Sequence, residues 1–173
     1  MPFRNIIDFN AIYPRLAATS KTQIIESLSW TIGRDPQFFN HADPLLDSAA
    51  LAEQFIIAEE IQSSAMGEGV VVLHLSSPYL RRPFIALARL TSKIDWQADD
   101  GVFVDLVGIV LSPSKIDSQS VEKNRDKGIH LQSLSRVTRL LTDPKIAVML
   151  RASDTIEDIR NILEPTRLDI LAA

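Results

Sequence analysis

The first part of the chain carries apolar residues at the spacing of an amphipathic helix. Ser20 and Gln23 form a Ser-x-x-Gln pattern, which is typical of a helix start because side chain and backbone satisfy each other's hydrogen bonds there. Asp35-Pro36 predicts the end of this helix, since proline disfavours helical backbone in the residue before it. The core-facing positions that recur at helical spacing are Ile24, Ile25, Leu28 and Ile32.

A second helix is predicted from Asp47, after a turn-rich stretch that contains Pro36 and Pro44. Its apolar residues recur on one side and its acidic residues on the other, so one face is expected in the core and one in solvent. The core-facing residues are Leu51, Phe55 and Ile56, and the solvated ones are Glu53, Glu59 and Glu60.

The middle of the chain changes from helical spacing to short runs of β-branched and apolar residues. We predict three strands, over Val70–Leu75, Phe84–Leu90 and Val102–Leu111, with Asp99-Asp100-Gly101 as the turn before the third. The third strand is nearly all apolar, which indicates a central strand covered on both faces.

The composition turns polar between Ser112 and Gly128, which predicts a surface loop. We do not expect a domain linker here, because the segment that follows looks too small to fold alone. That segment returns to helical spacing, with one helix ending near Asp143-Pro144, a short one after it, and a last one from Ser153 or Asp154 to Pro165. The order of helices, strands and helices predicts a single α/β (α+β) domain over residues 1–173, in which helices pack on a sheet.

The amino-acid composition limits the chemistry that is available. The 173 residues include no cysteine, which excludes a disulfide framework, a thiolate nucleophile and cysteine-based metal sites. The net charge of −4 argues against a nucleic-acid binder. No secretory signal is evident, and no apolar stretch approaches the ~20 residues that span a bilayer, so we expect a cytoplasmic protein without membrane insertion. Gly67-x-Gly69 precedes a strand where a dinucleotide site needs a helix, and neither a cofactor nor a metal site is predicted.

His74 is the residue best placed for chemistry. It lies near the end of an apolar strand and before Ser76-Ser77, where an imidazole can be held rigidly and still meet a partner. Imidazole is a competent covalent nucleophile, and its ordinary pKa of ~6.5 leaves much of it neutral at cellular pH. The competing interpretation is a hydrogen-bonded histidine that serves packing alone.

His130 is the second candidate. We place it in the first turn of a helix, where unpaired backbone N–H groups stabilise an anion. The helical register puts it on the inward face together with Leu134, Val137 and Leu141. A partly buried histidine with a structural hydrogen bond is again the alternative.

The remaining candidates are weaker. His41 is expected on the surface without a role. The pairs Arg81-Arg82 and Arg136/Arg139 suit the docking of an acidic or phosphorylated surface, although solvated charge explains each pair taken singly.

Three segments carry a family resemblance. Glu59 through His74 resembles the pattern R-E-x-x-G-S-T-G-I-G-N-G-[IV]-A-[IV]-P-H, whose first letter falls on residue 58. Val104 through Leu111 is similar to P-V-D-L-x-F-x-L-L, and Gly128 through Val137 is similar to x-x-H-L-x-x-L-A-x-[IV]. The chain, from about Ser20 to Leu163, therefore resembles the enzyme IIA proteins of the phosphoenolpyruvate-dependent phosphotransferase system. The resemblance is to the fructose/mannitol type and, within it, to the nitrogen-regulatory members.

The resemblance implies a mixed sheet with helices on both sides and assigns roles to two histidines. His74 is implied to accept a phosphoryl group from a small histidine-phosphorylated carrier protein (HPr-like), and His130 is implied to assist at the phosphoryl site. The implied function is a cytoplasmic regulatory phosphoacceptor that binds other proteins according to its phosphorylation state. The regulated targets and the oligomeric state are left open, a homodimer included.

The chain departs from the family pattern at four positions. Ala58 stands in place of an arginine, so one cation that neutralises phosphoryl charge is absent. Leu73 and Leu75 flank the histidine in place of proline and glycine, and Glu68 replaces an asparagine with a negative charge expected near the phosphate. Arg81 or Arg82 is a candidate replacement for the missing cation. These departures motivate the alternative of a degenerate member that binds proteins without transferring phosphate. A sugar-specific transport component is a third, weaker option.

Overall fold

The chain alternates strands and helices in the computed structural model, which describes residues 9–40, 42–114 and 121–163, without the side chains of 121–127 and 129. None of the helices in these ranges has the length and apolarity needed to cross a bilayer. The elements in chain order are β1 (Ala11–Leu16), α1 (Lys21–Gly33), α2 (Pro36–Phe39), α3 (Ser48–Ile61), β2 (Ala65–Gly67), β3 (Val70–Ser77), β4 (Phe84–Ile94), β5 (Val104–Pro113), α4 (Val121–Leu141), α5 (Pro144–Arg151) and α6 (Ile156–Leu163).

The strands form one mixed sheet in the order β1-β4-β5-β3-β2. β5 pairs in parallel with β3 on one side and antiparallel with β4 on the other. Every residue of β5 from Val104 to Ser112 is buried. The predicted central position of this strand is therefore confirmed, and its apolar sequence follows from burial on both faces.

Helices cover both faces of the sheet. Alternate residues along β5 point to opposite faces, so Val107 and Ile109 pack with α1, α2 and α3. Leu106 and Val110 pack with α4, α5 and α6 on the other face. The expected mixed sheet with helices on both sides is confirmed.

Two strands were not predicted from the sequence. β1 pairs in parallel with β4, and β2 is a three-residue strand that pairs with β3. Pro14 interrupts the apolar alternation of β1, and the pairing slips between Tyr13 and Leu16. Proline is tolerated there because β1 is an edge strand, where one row of backbone N–H groups needs no partner strand.

Helix α1 starts where the sequence predicts, but one hydrogen bond of the predicted capping box has a different partner. Ser20 Oγ accepts a hydrogen bond from the Gln23 backbone N–H at 3.2 Å, as the capping pattern predicts. The Gln23 side chain, however, accepts from the backbone N–H of Thr19 at 2.6 Å, one residue earlier than in the standard box. Asp47 caps α3 in the same way, as predicted, and Asp143, which the sequence predicts only as the end of the preceding helix, caps α5.

The predicted surface loop over residues 112–128 is wrong at both ends. Ser112 and Pro113 complete β5, and residues 121–128 form the first two turns of α4. The charged side chains between Val121 and Lys127 hid the helix in the sequence, because their polarity resembles that of a loop although most of them are compatible with a helix. Residues 115–120 lie outside the described part of the chain.

The prediction that Glu59 is solvated is also wrong. Its side chain is only 5% exposed, and its carboxylate accepts hydrogen bonds from the indole N–H of Trp96 at 2.8 Å and the backbone N–H of Ser64 at 2.9 Å. The ammonium group of Lys21 lies 3.2 Å from the same carboxylate. Burial alone would raise the pKa of Glu59, but the hydrogen bonds from Ser64, Trp96 and Lys21 outweigh it and hold the pKa below its usual value. Glu59 thus ties α3 to α1 and to the segment after β4.

Helix α4 packs closely against β5 at Gly108. A Cβ atom built on Gly108 would lie 2.8 Å from Val137 Cγ1 and 2.9 Å from Leu141 Cδ1, both of which belong to α4. These distances are too short for real carbon contacts, so a larger residue at this position would force the Val137 and Leu141 side chains to shift. Because His130 lies two helical turns before Val137, this contact also sets the height of His130 above the sheet.

Replacing Gly108 by alanine should destabilise the fold. The added methyl group must push against the stiff Val137 side chain, and we expect the free energy of unfolding to fall by about 1–3 kcal/mol, as in other overpacked cores. Urea denaturation measures this change. Gly128→Ala in the same helix is the control, because the space around Gly128 is open and alanine is the better helix former; it should raise stability by about 0.5–1 kcal/mol. Equal effects of the two changes would contradict the packing argument.

Replacing Glu59 by glutamine should cost about 1.5–3 kcal/mol at neutral pH, since hydrogen bonds from buried donors to a charged acceptor are lost. The pKa of Glu59 is lower in the folded than in the unfolded protein. Its stabilisation is therefore complete above the unfolded pKa and disappears as pH falls through the folded value.

The difference in unfolding free energy between wild type and Glu59→Gln should accordingly be constant above about pH 5 and shrink below about pH 4. Denaturation series at several pH values measure it. Glu53→Gln, on the exposed side of the same helix, should stay within about 0.5 kcal/mol of wild type. A difference for Glu59→Gln that grows in acid would contradict the assignment.

Candidate functional site

The candidate site lies at one end of the sheet, where β3 and β5 finish side by side. Their parallel register places His74 opposite Val110 and Ser76 opposite Ser112. Val70, Val72 and His74 alternate onto the face that α4 covers, and so do Leu106, Val110 and Ser112. The strands therefore bring His74 and Ser112 to the same face at the same end of the sheet.

The His74 side chain is half-buried and held in one tautomer. Its Nδ1 lies 2.9 Å from the backbone carbonyl oxygen of Val72. A carbonyl oxygen only accepts, so Nδ1 carries the proton and donates it. In the neutral ring Nε2 is then the nitrogen with the free lone pair, which is the form required for nucleophilic attack.

His130 lies on α4, and its ring is the neighbour of the His74 ring. The ring centroids are 5.7 Å apart, with the planes tilted by 45°. The Nδ1 of His130 lies 2.9 Å from the hydroxyl oxygen of Ser112. Partial burial, and secondarily the nearby charge of protonated His74, lower the pKa of His130 below its ordinary value. His130 is therefore a neutral hydrogen-bonding group near pH 7, not a cation.

The predicted position of His130 in a helical first turn is wrong. α4 begins at Val121, so His130 lies in the middle of a 21-residue helix, where the backbone N–H groups are already paired within the helix. The helix terminus consequently offers no anion-binding groups at His130. The predicted inward register is confirmed, since His130 and Leu134 are half-buried while Val137 and Leu141 are fully buried.

In the described part of the chain, the hydrogen-bond partners of the two histidines are Val72 and Ser112, and neither is an arginine. Arg81 and Arg82 lie in the exposed connection between β3 and β4, and the guanidinium group of Arg81 is 3.9 Å from the carboxylate of Asp43. The register of β4, with Phe84 opposite Leu111, puts this connection at the same end of the sheet as His74. The residue at the family's arginine position, Ala58, lies on α3, which packs with the opposite face of the sheet.

Glu68 does not lie beside His74, contrary to the expectation from the sequence. It precedes β3, and Val70 to His74 alone spans about 13 Å of extended strand. The Glu68 backbone N–H donates to the Asp100 carboxylate at 2.7 Å, and its carbonyl oxygen accepts from the Arg151 guanidinium at 2.6 Å. Glu68 is thus separated from the histidine pair by more than a Debye length, so its charge has little effect there.

The sequence did not reveal two polar features of the structure. Ser112 is 1% exposed and touches His130, but its polar neighbours made it resemble the start of a loop. The alternation Leu106, Gly108, Val110, Ser112 would have placed it on the face of α4. The second feature is Asp105 with Arg151, whose guanidinium donates to the buried carboxylate at 2.8 Å and so fixes α5 against the start of β5.

The described residues contain no cluster of three or more His, Asp or Glu side chains that could hold a metal ion. His41, expected on the surface, lies outside the described residues. The histidine pair is the arrangement that we assign to chemistry: an imidazole whose Nδ1 donates to the Val72 carbonyl, beside a second imidazole that burial keeps neutral.

Comparisons with known proteins agree with the fold and its element order. The sequence model of the family described as phosphoenolpyruvate-dependent sugar phosphotransferase system, EIIA 2, matches residues 5–165. A nitrogen regulatory protein of Bradyrhizobium diazoefficiens is 31% identical over 163 residues, which cover 94% of this chain and 95% of that protein. A nitrogen regulatory protein of Pseudomonas aeruginosa is 23% identical over 83% of this chain and 82% of its own length.

Solved structures show the same architecture. The nitrogen regulatory protein IIA-Ntr of Neisseria meningitidis superposes with a TM-score of 0.72 at 21% identity, covering 95% of this chain and all of that one. IIA mannitol of Escherichia coli gives a TM-score of 0.63 at 13% identity, covering 90% of this chain and 96% of that one. Because the family match spans almost the whole chain and a relative above 30% identity covers its length, the chain belongs to the EIIA 2 family of the phosphoenolpyruvate-dependent phosphotransferase system.

Proposed function

We propose that the protein is a regulatory phosphoacceptor, phosphorylated on His74 by a histidine-phosphorylated carrier protein of the HPr kind. The observation that carries the proposal is the bond from His74 Nδ1–H to the Val72 carbonyl, which leaves the Nε2 lone pair free next to His130. A histidine retained for packing alone has no need of a second imidazole over its ring.

The transfer step follows from this geometry. The Nε2 lone pair of His74 attacks the phosphorus of the carrier's phosphohistidine and forms a new N–P bond. The N–P bond of the carrier breaks, and its electron pair returns to the carrier's imidazole. The hydrogen bond to Val72 keeps the nucleophile in position and stabilises the positive charge that develops on the His74 ring. No cofactor takes part in this step.

His130 assists by donating a hydrogen bond to the phosphoryl oxygens. Its lowered pKa keeps the ring neutral, so one nitrogen carries a proton and one accepts. A fixed donor aimed at developing negative charge typically contributes a factor of about 10²–10³ to a rate. The 5.7 Å separation of the two ring centroids supports this role for His130.

The regulatory role is supported by the relatives. Two similar proteins are named nitrogen regulatory proteins, and the alignments cover most of this chain and of theirs. We therefore propose that phosphorylation of His74 changes which target proteins bind, in the cytoplasm. Targets would sense the change on the surface around the ends of β3 and β5, because phosphorylation adds a dianionic group there.

A degenerate, non-transferring member of the family is the second candidate. Ala58 removes the family's arginine, and the described residues place no cation in contact with either histidine. Phosphoryl transfer without a neighbouring cation lacks one of its usual sources of charge stabilisation. In this case the protein would bind its targets in one state only.

The labelling of histidine variants tests the proposal. Incubation with the radiolabelled phosphocarrier should label wild type, with the label lost in mild acid and kept in alkali, as expected of phosphohistidine. His74→Ala should abolish the label. His130→Ala should lower the transfer rate by about a hundredfold or more while the final level is still approached.

His41→Ala is the matched control for the loss of an imidazole and should transfer at the wild-type rate. Wild type that remains unlabelled under conditions where a known family member is labelled would reject the phosphoacceptor and favour the degenerate member. Labelling of His74→Ala would place the acceptor elsewhere.

The pKa of His130 should also depend on the presence of His74. In wild type, its pKa should lie below that of an exposed histidine, so that the ring is neutral at pH 7. His74→Ala should raise this pKa by removing the repulsion from protonated His74, but burial should still keep it below the ordinary value. NMR titration of the imidazole signals measures both values. A pKa that falls in His74→Ala would contradict the proximity of the rings.

A further inference from the structure

Ser112 is the one buried hydroxyl in the described residues that touches the histidine pair. It is 1% exposed, lies at the end of the central strand, and its oxygen is 2.9 Å from His130 Nδ1. A buried hydroxyl hydrogen needs an acceptor, because leaving it unpaired costs free energy. Among the described residues, His130 Nδ1 is the partner that the structure gives to this oxygen.

We propose that Ser112 is a positioning residue, which donates its hydroxyl hydrogen to His130 Nδ1 and thereby fixes His130 with its proton on Nε2. This inference rests on the proposed function of the pair and adds a residue to it. A neutral imidazole has one donor and one acceptor nitrogen, so a proton received at Nδ1 dictates that Nε2–H is the donor.

The two histidines then hold complementary tautomers. His74 donates through Nδ1 to the Val72 carbonyl, which leaves Nε2 as a lone pair. His130 accepts at Nδ1 from Ser112, which leaves Nε2 as a proton donor. One ring thus offers the nucleophilic nitrogen and the other offers a hydrogen-bond donor for the oxygens of the phosphoryl group that the first receives.

The position of Ser112 makes this control rigid. It is anchored in β5, whose parallel pairing with β3 fixes Ser112 relative to Ser76 and His74. The α4 helix that carries His130 rests on the same strand at Gly108. Strand and helix are therefore closely packed next to the contact between the hydroxyl and the imidazole.

The test compares threonine and valine at position 112. The two side chains have the same shape, and only threonine keeps the hydroxyl. In ¹⁵N-histidine NMR spectra at pH 7.5, wild type and Ser112→Thr should show His130 Nδ1 as the unprotonated nitrogen with a hydrogen-bonded shift, and Nε2 as protonated. In Ser112→Val the Nδ1 signal should move to the position of a free nitrogen. Ser112→Ala removes the hydroxyl without adding methyl groups, so it should show the same free Nδ1 signal even if the larger side chains disturb the fold.

Phosphotransfer to His74 provides the second readout. Ser112→Val should slow the transfer about tenfold relative to Ser112→Thr, the factor that one ordinary hydrogen bond carries. Ser153→Ala is the control, because it removes another buried hydroxyl with a 2.9 Å bond, to the Met149 carbonyl, away from the pair. It should change neither the His130 signals nor the rate.

The outcomes separate this inference from the proposed function. Wild-type spectra with a protonated Nδ1 on His130, or identical spectra and rates for the threonine and valine variants, overturn the role of Ser112 while His74 is still labelled. Absence of any phosphotransfer in wild type overturns the proposed function, and the NMR comparison then still decides whether Ser112 sets the tautomer.

Discussion

The contact of α4 with the central strand at Gly108 is the constraint on which the site depends. His74 and His130 come from a strand and a helix that are distant in sequence, and their rings are neighbours only because the helix rests directly on β5. A side chain at position 108 would meet the Val137 and Leu141 side chains of that helix. The parallel pairing of β3 with β5 also matters, since its register fixes the position of His74 along the sheet. Packing at an apolar surface therefore controls polar geometry two helical turns away.

Buried charged side chains stabilise the fold at places that are remote from the histidine pair. Glu59 receives buried donors from Trp96 and Ser64, and Asp105 receives the guanidinium group of Arg151. Both carboxylates are compensated by several partners, as burial of a charge requires. The histidine pair is different, because its described contacts are to a carbonyl oxygen and a hydroxyl group. In the proposed mechanism, a phosphoryl group at this site is therefore stabilised by hydrogen-bond donors and not by a resident cation.

The departures from the family pattern take on different meanings in three dimensions. Glu68 lies at the opposite end of β3 and is engaged through its backbone with Asp100 and Arg151. Leu73 and Leu75 point to the face covered by α1 and α3, where they add apolar contacts to that core. Ala58 is the departure that bears on phosphoryl chemistry. In the proposed mechanism the hydrogen bond from His130 carries a larger share of the charge stabilisation than it would beside an arginine.

Local pattern sufficed for the elements whose signals lie within one segment. The capping residues Ser20 and Asp47 predicted two helix starts, because an unpaired backbone N–H needs a nearby acceptor whatever the tertiary fold. The apolar run of β5 predicted a central strand, since only burial on both faces accounts for it. The motif around His74 likewise identified the family and the candidate nucleophile from the sequence.

The tertiary structure decided which polar groups are buried and which meet. Glu59 was expected in solvent, and the segment before His130 was expected as a loop, because polarity by itself does not reveal a partner supplied by a distant element or a helix with an exposed face. Ser112 acquires its importance only from the helix that crosses above it. The sequence by itself thus determined most of the helices, the three inner strands of the sheet, much of the core and the residue types available for chemistry. The pairing of His74 with His130, the tautomer of His74 and the place of Ser112 depend on long-range packing, which no local pattern encodes.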